Sequence, residues 1–164
     1  MTSTTPGLLR IERLPITHPD AARLVAEVQA EYVVRYGGPD ETPLDPDEFD
    51  PGRGAFFVGY RDAEPVATGA WRWHEPPAGL PEPCAEVKRM YVAAGHRQLG
   101  LGRVMLRRLE DDARDHGAVS MIMETGLAQP EAIAMYSGSG YALIENFGYY
   151  CGEESSRCFG RLLG

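Results

Sequence analysis

The stretch 85-AEVKRMYVAAGHRQLGLGRVMLRRLEDDARDHG-117 decides the fold of this chain, because its residue pattern changes twice. Residues 85–92 form a short segment rich in β-formers that follows two prolines, which predicts a strand. Residues 93–102 contain three glycines, which predicts a turn. Residues 101–116 carry apolar side chains every four positions and precede Gly117, which predicts an amphipathic helix with an ordinary stop.

A strand, a glycine-rich turn and a helix in this order predict a site for a phosphate group. The first amides of a helix have no partner within the helix, and the helix dipole places positive charge at that end. Gly100 and Gly102 lack the β-carbons that would keep a phosphate away from these amides. Arg97 and Arg103 add positive charge nearby. We therefore expect a phosphate or pyrophosphate ligand at the start of this helix.

The motif itself narrows the choice of phosphate ligand. A P-loop would end in Gly-Lys-Ser/Thr, which is absent, and a dinucleotide fingerprint would need a third glycine near Met105. What remains is 97-RQLGLG-102, an R-x-x-G-x-G that follows a strand ending in MYV. This combination resembles the acetyl-coenzyme A signature of the GCN5-related N-acetyltransferases, the GNAT superfamily. The alternative interpretation is a glycine-rich surface turn that happens to carry an arginine.

Length and charge set broad limits on what the chain does. Its 164 residues are enough for one domain with a sizeable core, so we expect a single domain over 1–164 with residues 1–7 as a disordered tail. The formal net charge of −8 argues against nucleic-acid and anionic-membrane partners, which bind to clustered Lys and Arg. An acidic chain is compatible with an amine substrate, although many soluble proteins are acidic for solubility alone.

The cysteines, the histidines and the hydropathy of the chain predict its compartment. Cys84, Cys151 and Cys158 are odd in number and lack C-x-x-C spacing, so we expect free thiols in a reducing cytosol. The histidines are scattered, which argues against a metal site. No apolar run approaches membrane length, and no leader-like start is present. We therefore expect a cytoplasmic protein without a metal.

The remaining pattern predicts an alternation of strands and helices, with Asp20 as the N-cap of the first helix. This order is typical of an α/β mixed sheet with helices on both faces. It also resembles the GNAT fold, a mostly antiparallel sheet with one splayed parallel strand pair. Beside the opening strand and helix, we predict strands at 8–15, 55–60, 65–73, 118–125, 141–144 and 156–163, helices at 21–36 and 130–137, and an acidic loop over 40–54.

The resemblance implies which residues bind the cofactor. In GNAT proteins coenzyme A lies between the splayed strands, and its pantetheine arm pairs with the backbone of the first of them. The family usually closes the site with an N-x-x-A-x-x-x-Y stretch, which here reads 129-QPEAIAMY-136. By resemblance the acetyl-coenzyme A contacts fall on Met90, Tyr91, Val92, Arg97, Gln98, Leu99, Gly100, Leu101, Gly102, Arg103 and Gln129.

The resemblance also suggests an acid and a base. Tyr136 matches the tyrosine that in many members protonates the departing thiolate, and the alternative is a tyrosine packed in the core. Glu86 lies where lysine-acetylating members place a catalytic glutamate, which would take a proton from the amine. The alternative for Glu86 is an ion pair with Lys88, Arg89 or Arg72.

Aromatic and acidic residues of the first helix, the acidic loop and the hairpin are candidates for the amine site, since such groups suit a cation. The candidates are Tyr32, Tyr36, Asp40, Glu41, Phe49, Trp71 and Trp73.

We interpret the chain as an N-acetyltransferase that moves acetyl from acetyl-coenzyme A to a primary amine of a small molecule or peptide, directly and in a ternary complex. The alternative from another class is a non-catalytic acyl-coenzyme A-binding module that senses or regulates; it would need neither Glu86 nor Tyr136. The sequence leaves open which amine is acetylated, whether longer acyl groups are used, and the oligomeric state, with a homodimer as one option.

Overall fold

The computed structural model describes residues 9–39, 45–77, 79–126, 129–148 and 150–164. The expected tail at 1–7 lies outside the described residues. Within them the elements follow in this order: β1 (Arg10–Arg13), α1 (Pro19–Tyr36), β2 (Gly54–Arg61), β3 (Glu64–His74), β4 (Cys84–Val92), a short 3-10 helix (Ala94–His96), α2 (Leu101–Asp115), β5 (Ser120–Gly126), α3 (Pro130–Gly138), β6 (Ala142–Ile144) and β7 (Ser156–Leu162).

The described strands form one sheet in the order β1-β2-β3-β4-β5-β7-β6. All neighbours pair antiparallel except β4 and β5, which run parallel. Their pairing begins at Cys84↔Ser120 and ends at Glu86↔Ile122, although the strands continue to Val92 and Gly126. The two strands therefore part beyond Glu86. The predicted mixed sheet with one splayed parallel pair is confirmed.

A bulge in β4 accompanies this separation. The β3–β4 ladder shifts register between Thr68 and Ala70, and Arg89 of β4 has a φ of +57°. A bulge bends its strand and increases the local twist. The bend therefore falls in the part of β4 that no longer pairs with β5.

Helices cover both faces of the sheet, as predicted. On one face α2 packs against β3 so closely that a β-carbon on Gly69 would lie 2.6 Å from Cγ of Met105. Trp71 belongs to the same core and is 1% exposed. On the other face Leu24 of α1 packs with Phe56 in a second core. Burial on both faces holds β4 and β5 firmly at the point where they separate.

The start of α1 differs from the prediction. His18, and not Asp20, is the N-cap: its Nδ1 accepts a hydrogen bond of 3.1 Å from the backbone amide of Asp20. The Asp20 carboxylate instead accepts one of 2.6 Å from the Tyr60 hydroxyl of β2. This tertiary contact is invisible to a local capping rule. Of the predicted first strand, only Arg10–Arg13 pairs with β2, and residue 8 lies outside the described residues.

Candidate active site

A cleft of about 760 Å³ opens where β4 and β5 part. The cleft is lined by the end of β4 that no longer pairs with β5, the start of α2, the end of β5, α3 and one side of α1. Most of the predicted cofactor residues lie here: Met90, Tyr91, Val92, Arg97, Gln98, Gly100, Leu101, Gly102, Arg103 and Gln129. The exception is Leu99, which is 53% exposed and does not line the cleft.

The start of α2 has the features of a phosphate cradle. Gly100 is the N-cap with a φ of +78°, in the left-handed region that glycine adopts without strain. No side chain caps this helix start, and no acidic residue lies in its first turn. The first amides are therefore left without a side-chain acceptor at the positive end of the helix dipole. These features fit the phosphates of acyl-coenzyme A.

Gly102 lies beside α3. A β-carbon at this position would lie 2.8 Å from Sδ of Met135 in α3, near the end of a flexible side chain, and 3.9 Å from Cγ2 of Val92. Gly102 and Met135 both line the cleft, so the start of α2 and α3 form neighbouring parts of its wall.

Arg97 is anchored to two neighbouring elements. Its Nε donates a 2.8 Å hydrogen bond to the Val92 carbonyl, and its Nη2 pairs with Glu31 of α1. The hydrogen bond that Arg97 donates to Glu31 raises the pKa of Arg97 above its ordinary value. Glu31 also lies 3.8 Å from Arg35, which pairs in turn with Glu131 of α3. The sequence predicts that Arg97 lies near a phosphate of the ligand. In the structure, its positive charge is already paired with the Glu31 carboxylate.

Glu86 is only 4% exposed and lies at the last position of β4 that pairs with β5. Its Oε1 accepts a 3.0 Å hydrogen bond from Nε of Arg72 on β3. Arg72 also pairs with Glu48, which is equally buried. Burial opposes the charge on Arg72, but the attraction of Glu86 and Glu48 outweighs it and raises the pKa of Arg72. The ion pair weighed as the alternative role of Glu86 is present, and Glu86 also lines the cleft.

Tyr136 lies between the core and the cleft. It is 5% exposed and packs against the rings of Tyr141 and Phe159, yet it lines the cleft. Burial raises the pKa of Tyr136 far above its ordinary value, and nearby Tyr32 adds to the effect. Its hydroxyl is therefore protonated at neutral pH. Among the described residues it has no hydrogen-bond partner, so it is available as a donor toward the cleft.

Two of the predicted substrate residues lie in or beside the cleft. Tyr32 lines it. Tyr36 lies next to it rather than among the lining residues, and its hydroxyl accepts a 3.2 Å hydrogen bond from Nε2 of Gln129. A β-carbon on Gly126 would lie 2.0 Å from the Tyr36 hydroxyl, so α1 meets the end of β5 at this point.

The other substrate candidates lie elsewhere. Trp71 is a core residue whose Nε1 donates a 2.8 Å hydrogen bond to Asp112 of α2, and Phe49 is 5% exposed against Phe56. Neither lines the cleft, because each faces a helix-covered core. Trp73 borders a separate cavity of about 490 Å³ beside Glu48. Asp40 and Glu41 lie outside the described residues.

Glu124 is a site residue that the sequence reasoning missed. It lies on β5 beyond the last residue paired with β4, and it lines the cleft. An acidic residue within the apolar run AVSMIMET was the signal that could have revealed it. The Cys158 thiol lies 3.9 Å from the Glu124 carboxylate, and burial raises the pKa of Cys158 to about 11. A protonated thiol of this kind is a poor nucleophile at neutral pH.

Two negative findings hold for the described residues. No group of three or more His, Cys, Asp and Glu side chains there could hold a metal ion. None of the described helices is both long and apolar enough to cross a membrane.

Comparison with known proteins identifies the family. Residues 22–141 match the Acetyltransferase (GNAT) family. An IAA acetyltransferase of Azospirillum brasilense is 43% identical over 65 residues, 40% of this chain and 42% of that protein. An uncharacterized N-acetyltransferase of Bacillus subtilis is 30% identical over 88 residues, 54% of this chain and 56% of its own length. The chain thus matches only about half of each of these relatives.

Solved structures agree with this assignment. A protein from Klebsiella pneumoniae described as an acyl-CoA N-acyltransferase superposes with a TM-score of 0.77 at 26% identity, over 96% of this chain and 99% of that one. A ribosomal-protein-alanine N-acetyltransferase from Brucella melitensis superposes with a TM-score of 0.70 over 94% of this chain and 99% of its own; at 20% identity it supports the fold alone. The parted parallel strands, the uncapped start of α2 and the match over residues 22–141 lead to one conclusion: this chain belongs to the GNAT acetyltransferase family.

Proposed function

We propose that this protein transfers an acetyl group from acetyl-coenzyme A directly to a primary amine, within a ternary complex. The observation that carries the proposal is the cleft between the parted strands. It has a helix start suited to phosphates on one wall, and a buried carboxylate and a buried phenol on others. When bound, acetyl-coenzyme A supplies an activated thioester. The proposed location is the cytoplasm.

The chain's own residues would hold the cofactor in two ways. Gly100, Leu101 and Gly102 would present the first amides of α2 to the phosphates, with Arg103 close by. The backbone of β4 beyond Glu86 no longer pairs with β5, so it is available to the pantetheine arm. Both arrangements use backbone groups that are fixed by the flanking sheet and helix, which limits the entropy lost on binding.

Glu86 is proposed to accept the proton of the amine. A primary amine with a pKa of about 10 is mostly protonated at neutral pH and has no lone pair for attack. One carboxylate oxygen of Glu86 accepts a hydrogen bond from Arg72, and the Glu86 side chain also lines the cleft. Because Arg72 is shared with Glu48, the group of three carries one net negative charge, which favours a cationic amine beside it.

Tyr136 is proposed to donate its proton to the departing thiolate. It is held by aromatic packing, and its raised pKa keeps the proton in place until negative charge develops on sulfur. Glu124 is a second carboxylate that lines the same cleft, and it is the second candidate for accepting the proton of the amine. The proposal includes no acyl-enzyme on a cysteine: Cys84 and Cys158 are buried, and the exposed Cys151 does not line the cleft.

The alternative, a non-catalytic acyl-coenzyme A sensor, has one observation in its favour: Glu86 is already engaged in an ion pair. Two of the relatives described above are named as acetyltransferases, which favours the enzyme.

The experiment that tests the proposal is a screen of small-molecule and peptide amines with acetyl-coenzyme A, measuring released thiol and acetylated product together. The enzyme predicts equal amounts of both, dependent on one class of amine. Cofactor binding without any amine-dependent release would support the sensor instead.

A further inference from the structure

We propose that Arg89 binds a carboxylate of the amine substrate, so that this protein acetylates amines that also carry a carboxylate. The inference rests on the proposed function and names its substrate class. It starts from Arg89 because this side chain lines the cleft and is not needed by the mechanism described above.

The position of Arg89 is close to the reacting groups. Arg89 lies three residues after Glu86, the last residue of β4 that pairs with β5, and it lies within the bulge of β4. Met90, expected to meet the pantetheine arm, is its neighbour in sequence. Arg89 therefore borders the part of the cleft in which amine and thioester would meet.

The backbone of Arg89 is held in an unusual conformation. Its φ of +57° lies in the left-handed region, which is unfavourable for a residue with a β-carbon. The hydroxyl of Thr68, itself 2% exposed, donates a 2.6 Å hydrogen bond to the Arg89 carbonyl. Backbone strain that is maintained by buried contacts concentrates at functional sites. A glycine or asparagine would tolerate this conformation better than an arginine.

The charge of Arg89 is not compensated by a carboxylate within the described part of the chain. Its Nε is buried and has no hydrogen-bond partner there. The neighbouring arginines differ: Arg97 pairs with Glu31, and Arg72 pairs with Glu86 and Glu48. A buried donor without an acceptor is unfavourable, and an acceptor on a ligand would remove the penalty. A guanidinium matches a carboxylate with two parallel hydrogen bonds.

A phosphate of the cofactor is the other anion that could meet Arg89. The phosphate cradle lies at the start of α2, where a β-carbon on Gly102 would be 3.9 Å from the Val92 side chain. Arg89 precedes Val92 by three residues, or roughly 10 Å along a strand. Arg103, in the first turn of α2, lies at the cradle itself and has no carboxylate partner among the described residues. We therefore assign Arg103 to the phosphates and Arg89 to the substrate.

The test uses Arg89→Asn, because asparagine tolerates a positive φ and the variant should fold. Amino acids and their carboxamides form matched pairs of amines with and without a carboxylate. Binding is measured by calorimetry in the presence of coenzyme A, and kcat/KM is measured with acetyl-coenzyme A. We expect the wild type to prefer the carboxylates, and Arg89→Asn to reduce that preference by about 10- to 100-fold, the range for a lost charged hydrogen bond. Arg89→Lys should restore part of it.

Lys88→Gln is the matched control, since it removes the same charge from the adjacent residue of the same cleft. It should leave most of the preference intact, and Arg103→Gln should weaken coenzyme A binding alone. The inference would be overturned if Arg89→Asn kept the wild-type preference for carboxylates. If Arg89→Asn kept that preference and lost affinity for coenzyme A, Arg89 would instead be assigned to a phosphate of the cofactor. A wild type that prefers carboxamides would overturn it too. If coenzyme A and the amines bind but no acetyl group is transferred, the proposed function is contradicted. In that case the calorimetric preference for carboxylates over carboxamides still tests the role of Arg89.

Discussion

Glu86 and its partners show how buried charges can prepare a site for an amine. Glu86 and Glu48 are each 4% exposed, and they share the single guanidinium of Arg72. Buried charges are unfavourable unless they are paired, and here two carboxylates share one cation. An ammonium in the cleft would supply the missing positive charge. Its proton could then pass to Glu86 before the amine attacks.

Glu86→Gln should lower turnover by on the order of 10²–10⁴-fold near neutral pH, the usual cost of removing a general base. The loss should shrink as pH rises toward the amine pKa of about 10, because free amine becomes abundant without help. Turnover against pH measures the effect. The same measurement on Glu124→Gln shows whether the second carboxylate of the cleft takes part in proton removal. A Glu86→Gln enzyme with the wild-type pH profile would leave Glu86 as an ion-pair residue.

Tyr136→Phe retains the ring that packs against Tyr141 and Phe159 and removes only the hydroxyl. We expect lower turnover with acetyl-coenzyme A affinity near the wild-type value, because the hydroxyl acts as charge develops on sulfur. Since the pKa of Tyr136 is raised, the proton stays on as pH increases through 9. The wild type should therefore show no loss of activity from this group in that range. Undiminished turnover in Tyr136→Phe would mean that water or substrate protonates the thiolate.

At the scale of elements, α1 is tied to both walls of the cleft. Glu31 connects it to Arg97 in the turn before α2, and Arg35 connects it to Glu131 at the start of α3. If the cofactor binds as proposed, Glu31 would compete with its phosphates for the charge of Arg97. This contact joins residues 66 positions apart, so no local pattern in the sequence indicates it.

Glu31→Gln should tighten coenzyme A binding, because it frees the charge of Arg97. A partly exposed ion pair is worth up to about 1 kcal/mol, which corresponds to about fivefold in Kd. Calorimetric titration with coenzyme A measures the change. Glu27→Gln is the control: it removes the same charge one helical turn earlier, where the carboxylate meets Tyr91 and Arg23 instead. Equal effects of both variants would reveal a general charge effect and not a specific competition.

The elements themselves were largely predictable because their periodic patterns are strong. Leu101, Met105 and Leu109 predicted α2, and all three are buried. Placement across the sheet was not predictable in the same way. Trp71 and Trp73 were both candidates for the amine site, yet both lie on the face of β3 that packs against the α2 core, Trp71 within that core and Trp73 partly buried against it. Which face of a strand meets the cleft depends on tertiary packing.

At the scale of the whole molecule, the cleft was predictable in outline from the glycine-rich turn and the family resemblance. Its charge arrangement was predictable only in part: a pair of Glu86 with Arg72 was one of the alternatives, but the second partner of Arg72, Glu48, was not. The ion pairs of Glu86, Arg72 and Glu48 join a strand pair to a distant loop, and Glu124 reaches the cleft only because β5 separates from β4. Such contacts depend on how the elements assemble in three dimensions.

Cofactor binding should stabilise the whole fold, because the cleft joins both halves of the sheet to three helices. Acetyl-coenzyme A at 100 times its Kd would add roughly 2.7 kcal/mol to the free energy of unfolding. For a domain of this size that corresponds to a rise in Tm of about 5–10 °C. Thermal unfolding with and without the cofactor measures it. Gly100→Val should show little rise, since its side chain would strain a φ of +78° at the phosphate cradle.

All of these predictions depend on acetyl transfer between the parted strands. A crystal structure of the complex with coenzyme A would show whether the cofactor binds there. We expect the pyrophosphate at the amides of Gly100–Gly102, the pantetheine arm along β4, and the thiol within hydrogen-bonding distance of the Tyr136 hydroxyl. Coenzyme A bound outside this cleft, or with its thiol directed away from both Tyr136 and Glu86, would overturn the proposed function.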